Sequence, residues 1–288
     1  MLRVKAGRAL LLSLAVAAAH AADAPRRIVS LSPNMTEILY GVGAFDRVVG
    51  ISDYCTYPPE VGNLPSLGGW LNPNLEKLAG LRPDLVIIDQ GQATFVRDKF
   101  RALGLNVLET TDLNLSDIYN SITLLGRVTG HEAGAEKLAA EMRERLAAVQ
   151  RKLAGAPRLR VVVVVDRTPG TLRNLVAATG GSFFAELVRM TGGEVVTPRA
   201  ATGKEGYAKL SKEDLLAENP DAILDFTHGQ KGQFAGDPIE AWREMPELKA
   251  VRANRVLEVD EDYVPHASQR VVQTAELFAR LLHPELMK

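Results

Sequence analysis

His131 opens the stretch HEAGA, which begins like the helix of a zinc protease, but no second histidine completes the ligand pair. Cys55 would need a histidine base beside it to act as a nucleophile, and nothing in the spacing supplies one. Beyond His20 the histidines are His131, His228, His266 and His283, widely spread, with no histidine-rich loop of the kind that marks a zinc carrier. GVGAFD, from Gly41, imitates part of a dinucleotide fingerprint, yet it follows a helix-like segment and precedes a strand, the reverse of what that motif needs. ATGKEG lacks the leading glycine of a phosphate loop, and Glu205 stands where a serine or threonine should hold magnesium. No G-x-S-x-G elbow occurs. These residues give catalysis no foothold, which leaves binding as the chemistry to explain.

The elements that would position a binding site come twice. NLEKLAGLRPDLVIID runs from Asn74 to Asp89, and SKEDLLAENPDAILDF runs from Ser211 to Phe226. At a constant offset of 137 positions, Glu76 meets Glu213, Leu78 meets Leu215, Pro83 meets Pro220 and Asp84 meets Asp221. Each copy reads as a short helix, a turn and a buried strand. Around the first copy, RIVSLSP, RVVGISD, DLVIID and NVLETT are short β-branched runs. They alternate with the helix candidates NMTEILYGVG, NLEKLAGL and TFVRDKFRALG, the first and last closing on glycine. Such alternation predicts parallel strands with crossover helices.

From His131 to Leu153 no strand signal appears. Ala135, Leu138, Met142, Leu146, Val149 and Leu153 recur every three or four residues, which predicts one long amphipathic helix. The alternation then restarts with LRVVVVVD, SFFAELVRMTGG, the second copy of the repeat and NRVLEVD, and it closes on the helix SQRVVQTAELFARLL. The expected architecture is α/β: two lobes with parallel sheets flanked by helices, joined by one long helix. The boundaries read as 22–130 for the first lobe, 131–155 for the connecting helix and 156–288 for the second lobe.

The 288 residues are 46% hydrophobic and 24% charged, which is ordinary for a globular protein. A formal net charge of −1 excludes the basic footprint of a nucleic-acid binder. Arg3, Lys5 and Arg8, the apolar run from Ala9 to Ala19 and Ala19-His20-Ala21 together read as a secretory leader over residues 1–21, cleaved near Ala21. That run is shorter than the ~20 residues a membrane span requires. Cys55 is the sole cysteine, so no internal disulfide can form, and the expected location is a periplasm.

In order and spacing, RIVSLSPNMTEILYGVG, VVGISDYCTYPPEV, LGGWLNPNLEKLAGLRPDLVI, LSKEDLLAENPDAIL and VDEDYVPHASQR resemble the helical-backbone (class III) periplasmic substrate-binding proteins. That family serves ABC importers of cobalamin, haem and ferric siderophores, and the likeness is nearest its cobalamin-binding branch. The resemblance covers essentially the whole chain after the leader. It implies no enzyme activity and no intrinsic cofactor or protein-bound metal. The implied partners are a permease dimer with its ATPase subunits, reached by a monomer carrying a metal chelate.

Residue by residue, the resemblance implies docking on the permease through Glu76 and Glu213. It implies ligand contact through Tyr54, Trp70, Gln90, Tyr207, Asp262, Tyr263 and His266, with His266 standing where the cobalamin binder carries arginine. Arg167 and Arg173 would pair with carboxylates of a siderophore or of haem. Asp89 replaces an aromatic of the cobalamin binder, and Asp166-Arg167 replaces another, so the site is expected to be less apolar. A tyrosine that typically ligates haem is missing near Trp70. The ligands open at this point are a corrinoid first, a ferric siderophore second, and haem third through Tyr54, Tyr207, Tyr263 or His266. A periplasmic enzyme or metallochaperone on the same scaffold is the rival from another class.

Overall fold

The computed structural model describes residues 24–197, 206–227 and 239–287. The leader, Glu205 and His228 lie outside them. The chain folds as two compact units. The first holds the described residues up to Thr111 with Tyr119–Ala139; the second holds Asp112–Ile118 and the described residues from Ala140 onward.

In the first unit the order is β1 (Ile28–Ser30), α1 (Pro33–Val42), β2 (Val48–Ile51), α2 (Leu75–Gly80), β3 (Leu85–Asp89), α3 (Gln90–Ala102) and β4 (Val107–Thr110). The strands lie in the order β2-β1-β3-β4, and every pair is parallel, as the alternation predicts. β3 is buried along its whole length, which is why it reads as an unbroken apolar run. Pro33 opens α1, and Gly43, with φ of 92°, closes it in the left-handed region that glycine enters most easily. Val29, Leu31, Leu78, Val86, Ile88, Val96 and Phe100 form the core on one face of this sheet.

Two helices follow, α4 (Leu115–Thr129) and α5 (Glu132–Lys152). The first of these was not anticipated from sequence. The second is the expected long helix, and its 21 residues span about 32 Å. Ala135, Met142, Leu146, Val149 and Leu153 are buried as the periodicity predicts, whereas Leu138 is only half-buried and Ala139 takes its place inside. Gly134 on α5 lies so close to α1 that an added Cβ would stand 2.2 Å from the carbonyl oxygen of Val42. Any side chain there would force the two helices apart.

The second unit runs β5 (Leu159–Asp166), β6 (Val176–Ala178), α6 (Phe183–Met190), β7 (Gly193–Val195), β8 (Tyr207–Lys209), α7 (Lys212–Glu218), β9 (Ala222–Phe226), α8 (Lys249–Arg252), β10 (Val256–Val259) and α9 (Val271–Leu282). The sheet order is β10-β9-β5-β6-β8, with β7 also paired to β5. The expected parallel pairing holds for β10-β9-β5 and for β7 beside β5, with one departure. β6 runs antiparallel to both β5 and β8. The connection from β5 to β6 is a short turn, tied by Thr168 N–H to Arg173 O at 2.9 Å, and a short turn permits only an antiparallel return. Phe184, Phe226 and Phe278 pack together, with the first two ring centroids 5.1 Å apart edge to face.

The duplicated stretch does the same mechanical work in each unit. Arg82 and Asn219, at matching positions, both adopt left-handed φ, 43° and 40°, and turn the chain out of the helix ahead of Pro-Asp. The Asp84 carboxylate then accepts the backbone N–H groups of Arg26 and Arg27 at 2.7 and 3.0 Å, which pins the start of β1 beside β3. Asp221 accepts the backbone N–H of Arg160 at 2.8 Å and pins β5 beside β9. In return, the Arg27 guanidinium donates to Leu81 O at 2.7 Å and the Arg160 guanidinium to Glu218 O at 2.9 Å, again matching positions. Burial opposes the charge on Asp221, but the Arg160 amide and the Lys249 ammonium prevail, and its carboxyl stays below the usual range.

Candidate functional site

In an open α/β sheet the loops at the carboxyl ends of the strands are the ones free to hold ligand. In the first unit those ends carry Tyr54 after β2, Trp70 in the following loop, and Asp89 and Gln90 where β3 runs directly into α3. Tyr54 is 56% exposed and lies against Gly69, whose added Cβ would stand 3.7 Å from the tyrosine hydroxyl. Gln90 is exposed. Trp70 is half-buried and donates its indole N–H to Asp89 Oδ2 at 2.8 Å, while the Gln92 amide donates to the Trp70 carbonyl at 2.8 Å.

This corrects the expectation that Asp89 makes the site more polar. Asp89 is only 6% exposed: Oδ1 caps α3 by accepting the Gln92 N–H at 2.8 Å and Oδ2 accepts the Trp70 indole N–H. An aromatic that sequence reasoning missed stands beside it. Phe95, one helical turn into α3, is 50% exposed and its ring centroid is 6.0 Å from that of Trp70. Its signal was present: the buried stripe of α3 is Gln92, Ala93, Val96 and Phe100, and Phe95 is an apolar residue off that stripe.

Cys55 sits between Tyr54 and Tyr57 but points inward, within 3.3 Å of Thr36 Oγ1 and 3.4 Å of Ser52 Oγ. Burial pushes its thiol up, against the pull of those two hydroxyls, so it stays protonated and unreactive.

In the second unit the carboxyl ends of β5 and β10 lead to Arg167 and to Asp262, Tyr263 and His266. Arg167 is placed differently from expectation. It is 2% exposed, and its guanidinium donates to Asp225 through Nε at 3.0 Å and Nη2 at 2.8 Å. Trp242 donates its indole N–H to the same carboxylate at 2.8 Å. The cation expected to meet a ligand is thus part of the core. Arg173 remains exposed at the turn below it.

Tyr207 on β8 is 38% exposed, and partial desolvation, helped by Asp112, raises its pKa and keeps the phenol protonated. Asp262 and Tyr263 are held by one residue that the sequence reading passed over. Arg270 lies 4.9 Å over the Tyr263 ring and 3.7 Å from Asp262 Oδ1. His266 is half-buried in the same turn, its N–H bonded to Tyr263 O at 3.1 Å.

Glu76 and Glu213 are both exposed at the second position of their helices, α2 and α7. Asn74 caps the first helix by accepting the Lys77 N–H, and Ser211 with Asp214 forms a reciprocal capping box on the second. Capping is therefore done by other residues. Each glutamate also comes to the ligand-loop end of its own sheet, since Asn74 bonds to Leu67, which bonds to the last residue of β2, and β8 brings Ser211 level with the end of β5. Among the described residues no cluster of three or more His, Cys, Asp or Glu side chains could hold a metal, and no helix is long and apolar enough to cross a membrane.

A profile of the periplasmic binding protein family matches residues 28–263, from β1 to the Tyr263 turn. The chain belongs to that family. It is 31% identical over 272 residues to the uncharacterized ABC transporter substrate-binding lipoprotein YvrC of Bacillus subtilis, covering 92% of this chain and 82% of that protein. It is 26% identical to the vitamin B12-binding protein of Vibrio parahaemolyticus, covering 88% and 89% of the two chains. The crystal structure of the periplasmic vitamin B12 binding protein BtuF of Vibrio cholerae superposes with a TM-score of 0.74 at 25% identity, over 92% of this chain and 98% of that one. The periplasmic heme-binding protein RhuT of Roseiflexus sp. RS-1 shares the fold, with a TM-score of 0.75 at 24% identity over 91% and 99% of the chains. The protein is a substrate-binding component of the ABC-transporter type and not an enzyme. Such components work with a permease and an ATPase.

Proposed function

We propose that this protein is exported by cleavage of its leader near Ala21 and, as a periplasmic monomer, carries a corrinoid to an ABC importer. The observation that carries this reading is the anchored Trp70 ring at the ligand-loop end of the first sheet, in a chain that matches vitamin B12-binding proteins along nearly its whole length. In this reading Tyr54, Trp70 and Gln90 of the first unit and Tyr207, Asp262, Tyr263 and His266 of the second contact the ligand. Glu76 and Glu213 meet the two permease subunits, one from each unit; their exposure and the presence of separate caps support that role. The test is titration with cyanocobalamin, which should quench tryptophan fluorescence and saturate at one ligand per chain. A tight ferric chelate and no response to any corrinoid would overturn the ligand assignment. The second reading, haem, is favoured by one feature, the half-buried His266 beside Tyr263. A hemin titration distinguishes it by its visible spectrum.

A further inference from the structure

We propose that Phe95 is a ligand-contacting residue that forms, with Trp70, a two-ring apolar shelf for the flat face of a metal-bearing macrocycle, and that Asp89 is the positioning residue that sets the shelf. The proposal rests on the functional reading above and names a contact and a support that the family likeness did not imply. Phe95 is 50% exposed and lies off the buried stripe of α3, so the core does not require it. Its partner ring is held from the same helix turn. Asp89 binds the Trp70 indole, Gln92 binds the Trp70 carbonyl, and Gly91 lies beneath the ring, where an added Cβ would stand 3.3 Å from Trp70 Cη2. The three tethers fall within positions 89–92, so Trp70 and Phe95 are fixed to one rigid piece of the fold. The rings are tilted by 54° with centroids 6.0 Å apart.

The hydrogen bonding decides what this shelf accepts. The Trp70 N–H is already bonded, both Asp89 oxygens are bonded, and Phe95 offers no polar atom. A ligand that meets the shelf with hydroxyl or hydroxamate groups would leave them desolvated and unpaired. A conjugated macrocycle meets it with carbon and loses nothing. These two rings therefore favour an apolar surface, such as the face of a corrin or porphyrin, over a polar one.

The test titrates wild type, Phe95→Ala, Trp70→Ala and Asp89→Asn with cyanocobalamin, hemin and a ferric hydroxamate. Wild type should bind a macrocycle, and Phe95→Ala should weaken it about tenfold, the loss expected for an aromatic anchor. Asp89→Asn retains one carbonyl oxygen, enough to satisfy either the Gln92 N–H or the indole but not both. It should weaken the macrocycle several-fold and shift the emission of Trp70, isolated by subtracting the Trp70→Phe spectrum, while the melting temperature stays near that of wild type. Unchanged macrocycle affinity in Phe95→Ala together with a loss in Trp70→Ala would overturn the role of Phe95 and leave the functional reading standing. An Asp89→Asn protein with unchanged affinity and emission would overturn the positioning role. If wild type binds neither macrocycle, the shelf and the functional reading fall together.

Discussion

Replacing Asp225 by asparagine removes a negative charge from the point where three donors converge. Arg167 Nε and Nη2 and Trp242 Nε1 all donate to this carboxylate, at distances from 2.8 to 3.1 Å. Both side chains of the ion pair are 0% exposed, so no water can replace the lost acceptor without opening the second unit. Thr171 O, at 3.1 Å from Nη1, gives the guanidinium further support. Asparagine offers one acceptor oxygen and turns an N–H toward another donor. Breaking a buried ion pair by removing one partner costs about 3–5 kcal/mol, a large share of the ~5–15 kcal/mol that holds a typical domain together.

The assay is urea unfolding in a Trp70→Phe background, where Trp242 is the remaining tryptophan and reports on the second unit alone. Adding Arg167→Met to Asp225→Asn removes both charges and leaves the amide oxygen for the Trp242 N–H. This double variant should recover most of the loss, because a buried pair contributes little beyond what an apolar replacement supplies. A cost below ~1 kcal/mol for the single variant would show that solvent reaches the pair and refute the reasoning. A double variant less stable than the single would refute it equally.

Glu76→Ala with Glu213→Ala should leave cyanocobalamin titrations unchanged and abolish ATPase stimulation in a reconstituted transporter; normal transport would reduce the two glutamates to remnants of a duplicated plan. Cys55 should resist thiol reagents at pH 8 in the folded protein and react fully in denaturant, and Cys55→Ser should change ligand affinity by less than about threefold, under ~1 kcal/mol. Burial pushes the His283 pKa below its ordinary 6.5, against the pull of Glu285. The unfolded chain therefore binds a proton below about pH 6.5 that the folded site resists, and the second unit should lose stability on acidification from that point down to the folded value. His283→Gln should flatten that slope, measured by urea unfolding between pH 7.5 and 5.

Much of each unit was legible because the relevant signals are local. The apolar run of β3, the glycine stops at Gly43 and Gly104 and the three-to-four spacing along α5 each record burial within one element, and the elements fall where those patterns put them. The duplicated stretch was visible too, but its purpose was not. A carboxylate in Pro-Asp carries no mark of the strand it pins, and only the pairing of β1 with β3 and of β5 with β9 shows that Asp84 and Asp221 close those two junctions.

The candidate site divides in the same way. The family resemblance singled out Tyr54, Trp70 and the Asp262–His266 segment, and the fold puts them at the carboxyl ends of strands. Direction within the fold decided the rest. Arg167 reads as an exposed cation in sequence, yet β9 lies beside β5 and brings Asp225, 58 residues away, to meet it in the core. Asp89 reads as a polar substitution, yet its position as last residue of β3 and cap of α3 turns both oxygens inward. Phe95 gains meaning only when Trp70, from a loop 25 positions earlier, folds onto the same helix turn. Periodicity fixes which face of an element is buried, whereas hydrogen bonds and ring contacts between distant segments depend on which strands become neighbours, and that is a property of the tertiary structure alone.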